Sequence, residues 1–432
     1  RLGLTLAVAA VCGARMLVPE AAAPLFPQLR WSDVIGLSVG IAVALMILLP
    51  FIGATEGGIV SGLLSSWDLW AHFSFFANTY QAGTTAWTAG DPSGAYGVGY
   101  PQLPFVLWTT LQWLVQSSGE MLTREQLLQP YVTWIAVTVG SCATVLTWLS
   151  GDIAERLGRA SSASWARVVA SLATGILVVL GSFSSYAGAG HANFLLGVTI
   201  VMAASFWALA TPDAPGTYGW LVVPGAALCA LALWPPLALG VFVAAVGIIV
   251  VLWQWRPPIA VAYGLTAITA IAVAGWKYLG ILLSSASLAS LSMGGATGGL
   301  ASYSVPLAIA GPVVVLAGAW AVWVIRGWQV GLALASATVG LAPFTIYLMA
   351  SVDAAGTPRL QSYFLLKIAG ALVLMATPIL IAYFAVPLAD GMGAAVASLV
   401  AHKPALRVQG WRSAIIGGGA VTLAATFGMV AS

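Results

Sequence analysis

The chain has 432 residues, of which 60% are hydrophobic and only 6% charged, with a net charge of +3. A soluble domain carries about a quarter charged residues, so this composition excludes a soluble globular protein. The small net charge gives no basis for nucleic-acid binding.

Apolar stretches of about 20 residues cross a bilayer, and they do so as helices because backbone groups in lipid must bond within their own segment. In chain order such stretches fall at 2–19, 34–54, 131–150, 166–186, 192–211, 220–234, 236–255, 259–283, 305–325, 328–350, 363–387 and 412–432. The expectation is an all-α polytopic membrane protein of about 12 transmembrane helices, forming one domain over 1–432. The run from Trp220 to Trp255 is too long for one helix, and Trp234-Pro235-Pro236 breaks it into a hairpin. Cys12, Cys142 and Cys229 all lie inside apolar spans, where they read as packing residues rather than disulfides or metal ligands. The chain begins at Arg1 without Met and stops inside the apolar run Ala414 to Ser432, the pattern expected of a piece of a longer protein.

One segment needs a separate decision. Gln102 to Val115 is apolar but spans only about 14 residues, the length of an interfacial or re-entrant helix. If it does not cross, the loops holding Arg30, Arg156, Arg159, Arg167, Arg256, Arg326, Lys403, Arg407 and Arg412 all fall on one side. Basic loops stay on the cytoplasmic side, so 55–130 is expected to be one long exterior loop with embedded helices. A second exterior loop, 284–304, is rich in Gly and Ser and carries no charge. It is expected to be a flexible lid.

The long loop opens with Trp67-Asp68-Leu69-Trp70-Ala71-His72-Phe73-Ser74-Phe75-Phe76. Asp68 and His72 are four apart and share a helix face. Trp67, Trp70, Phe73 and Phe76 are expected to bed that helix into the membrane surface, with the polar pair projecting towards a cavity. Next comes Tyr96-Gly97-Val98-Gly99-Tyr100-Pro101-Gln102-Leu103-Pro104, whose prolines and glycines set a turn leading into the short apolar helix.

This arrangement resembles the GT-C glycosyltransferases, polytopic enzymes that use polyprenyl-phosphate-linked sugars outside the cytoplasm. Gln129-Pro130, leading into a span that ends at Ser150-Gly151-Asp152-Ile153-Ala154-Glu155-Arg156-Leu157-Gly158-Arg159, adds to the likeness. Within the class the pattern is most similar to the actinobacterial galactan arabinofuranosyltransferase family, over roughly 34–211. The chain has Asp68 alone where many members carry paired acids. The resemblance implies a GT-C-like bundle, sugar transfer with inversion by single displacement, a decaprenyl-phosphoryl-arabinose donor and a cell-wall glycan acceptor. No metal or cofactor is assigned at the candidate residues, and the resemblance implies a multi-pass location in the plasma membrane with an extracytoplasmic site.

The remaining ionisable residues gather at the exterior ends of the spans. They are Lys277, Lys367, Arg359 with Asp353, and His191 near Asn193. An ionisable group within a span costs roughly 2.5–3.5 kcal/mol, so such groups mark a function or have a partner. Lys277, Arg359 and Lys367 are candidates to hold the donor phosphate, whose charge grows as it leaves. Asp68 is the candidate general base for the acceptor hydroxyl. His72, Tyr100, Gln102, His191 and Tyr363 are candidate pocket residues. For the lysines the plainer reading is snorkelling to headgroups. For His191 it is a turn or packing role.

The chain has no glycine-rich phosphate loop with Lys-Ser or Lys-Thr and no His-Glu-x-x-His, and its Gly-x-Ser-x-Gly match, Gly36-Leu37-Ser38-Val39-Gly40, lies inside the expected span 34–54 rather than at a strand-to-helix elbow. Rival classes are a transporter or flippase of lipid-linked saccharides, an O-antigen-type polymerase or ligase, and an inactive scaffold. A transporter needs polar residues at the bilayer midplane, and the middles of these spans are nearly free of charge.

Overall fold

The computed structural model describes residues 30–83, 102–116, 119–158, 162–210 and 363–401, with isolated positions at 229, 233, 265 and 272. Among the described residues the chain is helical and no strand occurs. In order, the helices are α1 (Asp33–Leu48, extended by a 3-10 turn Leu49–Phe51), α2 (Glu56–Leu64), α3 (Trp67–Ala82), α4 (Leu103–Val115) and α5 (Leu128–Leu157). They continue as α6 (Ala163–Leu180), α7 (Ser182–Gly188), α8 (Ala192–Ala210) and α9 (Tyr363–Ala401).

Four stretches are long and apolar enough to cross a membrane: Asp33–Phe51, Leu128–Leu157, Ala163–Leu180 and Val373–Ala394. They match the expected spans 34–54, 131–150, 166–186 and 363–387. The other expected spans, apart from 192–211 at α8, lie outside the described residues, as does the lid 284–304. Gly181 leaves the helical region at φ −107° and ψ −160°, so the expected span 166–186 divides into α6 and the short α7. Helix α9 runs past its expected end to Ala401, carrying Pro378 and Pro387 inside it.

Helix α5 is the axis of the described bundle. Its 30 residues reach about 45 Å, more than the hydrocarbon core is thick. Helix α1 packs along it through small residues. A Cβ added at Gly140 would lie 2.6 Å from the Gly40 carbonyl, and one added at Gly40 would lie 2.6 Å from the Gly140 carbonyl. This mutual approach lets two backbones gain the dispersion contact that replaces the hydrophobic effect in lipid. The outward side of α1 stays apolar, with Ile41 60% and Leu49 61% exposed, as a lipid-facing surface requires.

An uncharged hydroxyl layer links α5, α6 and α9. The Thr174 hydroxyl of α6 donates to Ser150 of α5 at 2.7 Å, and Ser150 donates to the Pro378 carbonyl of α9 at 2.9 Å. At one end of the bundle, Arg167 of α6 joins Asp33 of α1 with Asp152 and Glu155 of α5. The other end, some 21 residues and about 32 Å along α5 at Tyr131, carries α2, α3 and α4.

Helix α3 differs from its expected setting. Phe73 and Phe76 are 1% and 0% exposed and face protein, not a membrane surface. Phe73 meets the Tyr131 ring edge-on at 5.4 Å, Phe76 stacks on Tyr131 at 5.8 Å, and Trp108 of α4 closes the cluster at 5.8 Å from Tyr131. Periodicity marks an apolar face but does not say what covers it. Here α4, too short to span, folds over α3 and takes the place of lipid.

Candidate active site

Asp68 sits in the first turn of α3, where the helix dipole favours a carboxylate. The side chain is nearly enclosed, 8% exposed. Three ionisable side chains surround it. His72 follows one turn later on the same helix and is 1% exposed. His191, wholly buried, precedes α8 and places Nδ1 2.7 Å from Asp68 Oδ2. Lys367, one turn into α9 and 2% exposed, places Nζ 3.9 Å from the same oxygen.

The α7–α8 turn is clasped onto α3. Ser66 Oγ donates to the Ala189 carbonyl at 2.7 Å, and His72 Nδ1 donates to the Gly190 carbonyl at 3.1 Å. From below, the Tyr131 hydroxyl donates to the Leu69 carbonyl at 2.7 Å. Gly190 carries φ +87°, and a Cβ there would lie 2.7 Å from Leu69 Cγ and 2.9 Å from the Leu69 backbone nitrogen. Only glycine fits both restraints. Gly190→Ala is therefore expected to push the turn off α3, lowering thermal stability and separating His191 from Asp68. A variant with an unchanged melting curve and unchanged activity counts against this account of the turn.

Lys367 is positioned from the side. Its Nζ lies 5.8 Å from the centre of the Phe194 ring, and Phe194 packs on Tyr186 at 4.9 Å. Tyr186 in turn faces Gly370 of α9, where a Cβ would collide with the phenol. The small residue one turn beyond Lys367 lets α9 approach closely enough for the lysine to reach Asp68.

The charge states follow from these partners. Burial raises the Asp68 carboxyl, but the His191 hydrogen bond and the positive field of His72 and Lys367 outweigh it, holding Asp68 well below the usual carboxylate range. Burial pushes His72 down to about 4 and, with repulsion from Lys367, His191 down to about 4. At neutral pH the site thus holds an ionised Asp68 beside two neutral imidazoles, each with its proton on Nδ1. The two histidines make the site acid-sensitive. The unfolded chain binds a proton at each below about 6.5, whereas the folded site withholds it to about 4. Their contribution to stability is complete above pH 6.5 and is lost as pH falls towards 4. The melting temperature is expected to drop over that window, and His72→Gln should flatten the drop.

The structure brings together Asp68, His72, His191 and Lys367, which the sequence separates by up to 299 positions (367 − 68). Gln102, 2% exposed, sits just before α4. Tyr100, Lys277, Arg359 and the Tyr363 side chain lie outside the described residues. Sequence reasoning missed Ser66, Tyr131 and Phe194. Ser66 and Tyr131 act through backbone carbonyls, which leave no pattern in a sequence. Among the described residues no cluster of His, Cys, Asp and Glu has the geometry to hold a metal ion. No family model matches the chain, and no curated protein matches it in sequence.

Proposed function

We propose that the chain is a GT-C-type glycosyltransferase that moves a sugar from a polyprenyl-phosphate donor to an extracytoplasmic glycan or lipid-linked acceptor. Arabinofuranose is the sugar the resemblance favours. About 12 spans in the plasma membrane carry the site on the exterior face. The observation that carries this reading is the gathering of three ionisable groups, from α3, the α7–α8 turn and α9, around one buried carboxylate. Nothing in bundle packing requires this arrangement, and burying it costs free energy.

In this mechanism the acceptor hydroxyl attacks the anomeric carbon as the bond to the phosphate oxygen breaks. The hydroxyl proton passes to Asp68, and the polyprenyl phosphate leaves as an anion. The neutral His191 orients the carboxylate through its Nδ1 hydrogen bond. Lys367 lies at ion-pair distance from Asp68 and its three donors are not all spent there, so it is placed to meet an incoming phosphate. Lys277 and Arg359 complete the donor-phosphate set in this proposal. Tyr100, Gln102, His72 and Tyr363 line the sugar or acceptor pocket.

The deciding experiment is transfer by the purified full chain across a panel of polyprenyl-phosphate sugars. Turnover of one donor with inverted product is the expected result, and no transfer from any donor removes the proposal. Topology gives a separate check. Helix α4 should return to the exterior face, so cysteines placed at Ser93 and Ser118 should both label from outside. Labelling of either from the cytoplasm rejects the loop.

A further inference from the structure

The two ends of the bundle treat their arginines differently. At one end Arg167 and Arg30 are answered by Asp33, Asp152 and Glu155. At the other end the hydrogen-bond and ring partners of Arg124 are neutral, and the adjacent, fully exposed Glu125 feels its charge without forming an ion pair. Arg124 Nη2 donates to Ser74 Oγ at 3.0 Å, its Nη1 faces Asn78 Oδ1 at 3.5 Å, and its guanidinium stands 5.7 Å from the centre of the Phe73 ring. Among the described residues no carboxylate lies within ion-pair distance of it. The neighbouring Glu125 turns back to its own backbone N–H and the Thr123 hydroxyl.

The arginine is also held still. Thr123 N–H donates to Gln126 Oε1 at 2.9 Å, and Leu127 N–H donates to the Thr123 carbonyl at 3.1 Å, closing a tight turn around it. Leu127 is wholly buried beneath that turn, and Leu122 N–H donates to the Tyr80 hydroxyl at 3.3 Å. The turn stands directly before α5, a span, and beside exposed Met121, Leu114 and Val115. This is the setting of a membrane interface, with apolar side chains towards lipid and a charge at headgroup depth.

A guanidinium has five donors in a rigid fork that matches phosphate oxygens, and two of the five are used here. Fixing it without an ion pair, with only a solvent-exposed carboxylate nearby, costs free energy that an anionic ligand would recover. We infer that Arg124 is a binding site for the phosphate-ester headgroup of a lipid at this face of the membrane, with Ser74 and Asn78 as its polar floor. It is distinct from the Asp68 site. Ser74 and Asn78 lie about 9 and 15 Å further along α3, and about 80–120° around it from Asp68. The inference does not depend on glycosyl transfer.

The test measures binding to the purified full chain of three probes: a polyprenyl monophosphate, phosphatidylglycerol and inorganic phosphate. Diacylglycerol, which has acyl chains but no phosphate, serves as the control. Arg124→Gln is expected to weaken binding about 10- to 100-fold, as loss of a charge-assisted hydrogen-bonded pair does. Asn78→Asp is the second variant. It supplies the missing carboxylate in place, keeps Arg124 and the packing, and should weaken binding to a similar degree without lowering the melting temperature. A loss confined to the polyprenyl monophosphate assigns the site to a lipid monoester, and one confined to phosphatidylglycerol assigns it to bilayer lipid. A loss seen with inorganic phosphate as well assigns a headgroup site that needs no acyl chain. If Asn78→Asp binds all three probes as the wild type does, the inference is overturned, whether or not Arg124→Gln folds.

Discussion

Asp68→Asn is expected to reduce glycosyl transfer by about 100- to 10,000-fold, the loss typical of a general base and equal to roughly 3–5 kcal/mol of barrier. Asn keeps the volume and can accept the His191 hydrogen bond, but it cannot take the acceptor proton. The same change also acts on stability. Lys367 is 2% exposed and loses the carboxylate 3.9 Å from its Nζ. Breaking a buried pair by removing one partner costs about 3–5 kcal/mol, and the long separation places this one at the low end. A dead single variant could therefore reflect damage rather than chemistry. A melting temperature of the single variant close to wild type assigns its lost activity to chemistry. The double variant Asp68→Asn with Lys367→Met tests the damage part, because it removes both charges and keeps an unbranched apolar chain beside Phe194. Its melting temperature should recover towards the wild-type value while its activity stays lost. Recovery of activity together with stability would mean that Asp68 is a structural counter-ion and not the base.

The sequence made the helices legible where each presents a long apolar run. The starts of α1, α5, α6, α8 and α9 fall within about three residues of expectation because hydrocarbon thickness dictates span length. It was equally clear on α4, whose 13 residues are too few to cross. The surroundings of α3 were not legible. Its aromatic residues suit a lipid interface and a protein core equally well, and only the packing of α4 and Tyr131 decides between them. At the site, Asp68 and His72 could be paired because a helix puts positions four apart on one face. His191 and Lys367 come to the same carboxylate through two glycines, Gly190 and Gly370, which permit backbone approaches that no local spacing encodes. A turn or packing role for His191 was the plainer reading, yet its Nδ1 sits 2.7 Å from Asp68. Arg124 escaped notice entirely. A single arginine in a loop has no pattern, and its neutral hydrogen-bond partners Ser74 and Asn78 come from a helix some 50 positions earlier in the chain.

At the opposite end of the bundle, Arg167→Ala is expected to be the most destabilising single change among the described residues. The guanidinium is 7% exposed and binds three carboxylates on two other helices: Asp33 at 2.5 Å, Glu155 at 2.7 Å, and Asp152. Removing it strands Asp33, whose side chain is 12% exposed, while Asp152 and Glu155, at 39% and 31%, keep part of their water and Glu155 keeps Arg30. The expected cost is about 3–5 kcal/mol, most of it the penalty of unpaired buried charge. Arg167→Lys should recover only part, since one ammonium cannot answer three carboxylates as a fork does. Arg30 provides an internal control, because it binds the same Glu155 oxygen at 2.6 Å from a side chain 58% exposed. Water and salt screen that pair, so Arg30→Ala should cost at most about 1 kcal/mol, and its effect should shrink further in high salt. The measurement is thermal unfolding of each variant in detergent at low and high ionic strength. If Arg30→Ala and Arg167→Ala lower the midpoint equally, burial is not what gives this cluster its strength. If Arg167→Ala is harmless, the stranded Asp33 carboxylate has gained water that its 12% exposure does not offer in the wild type.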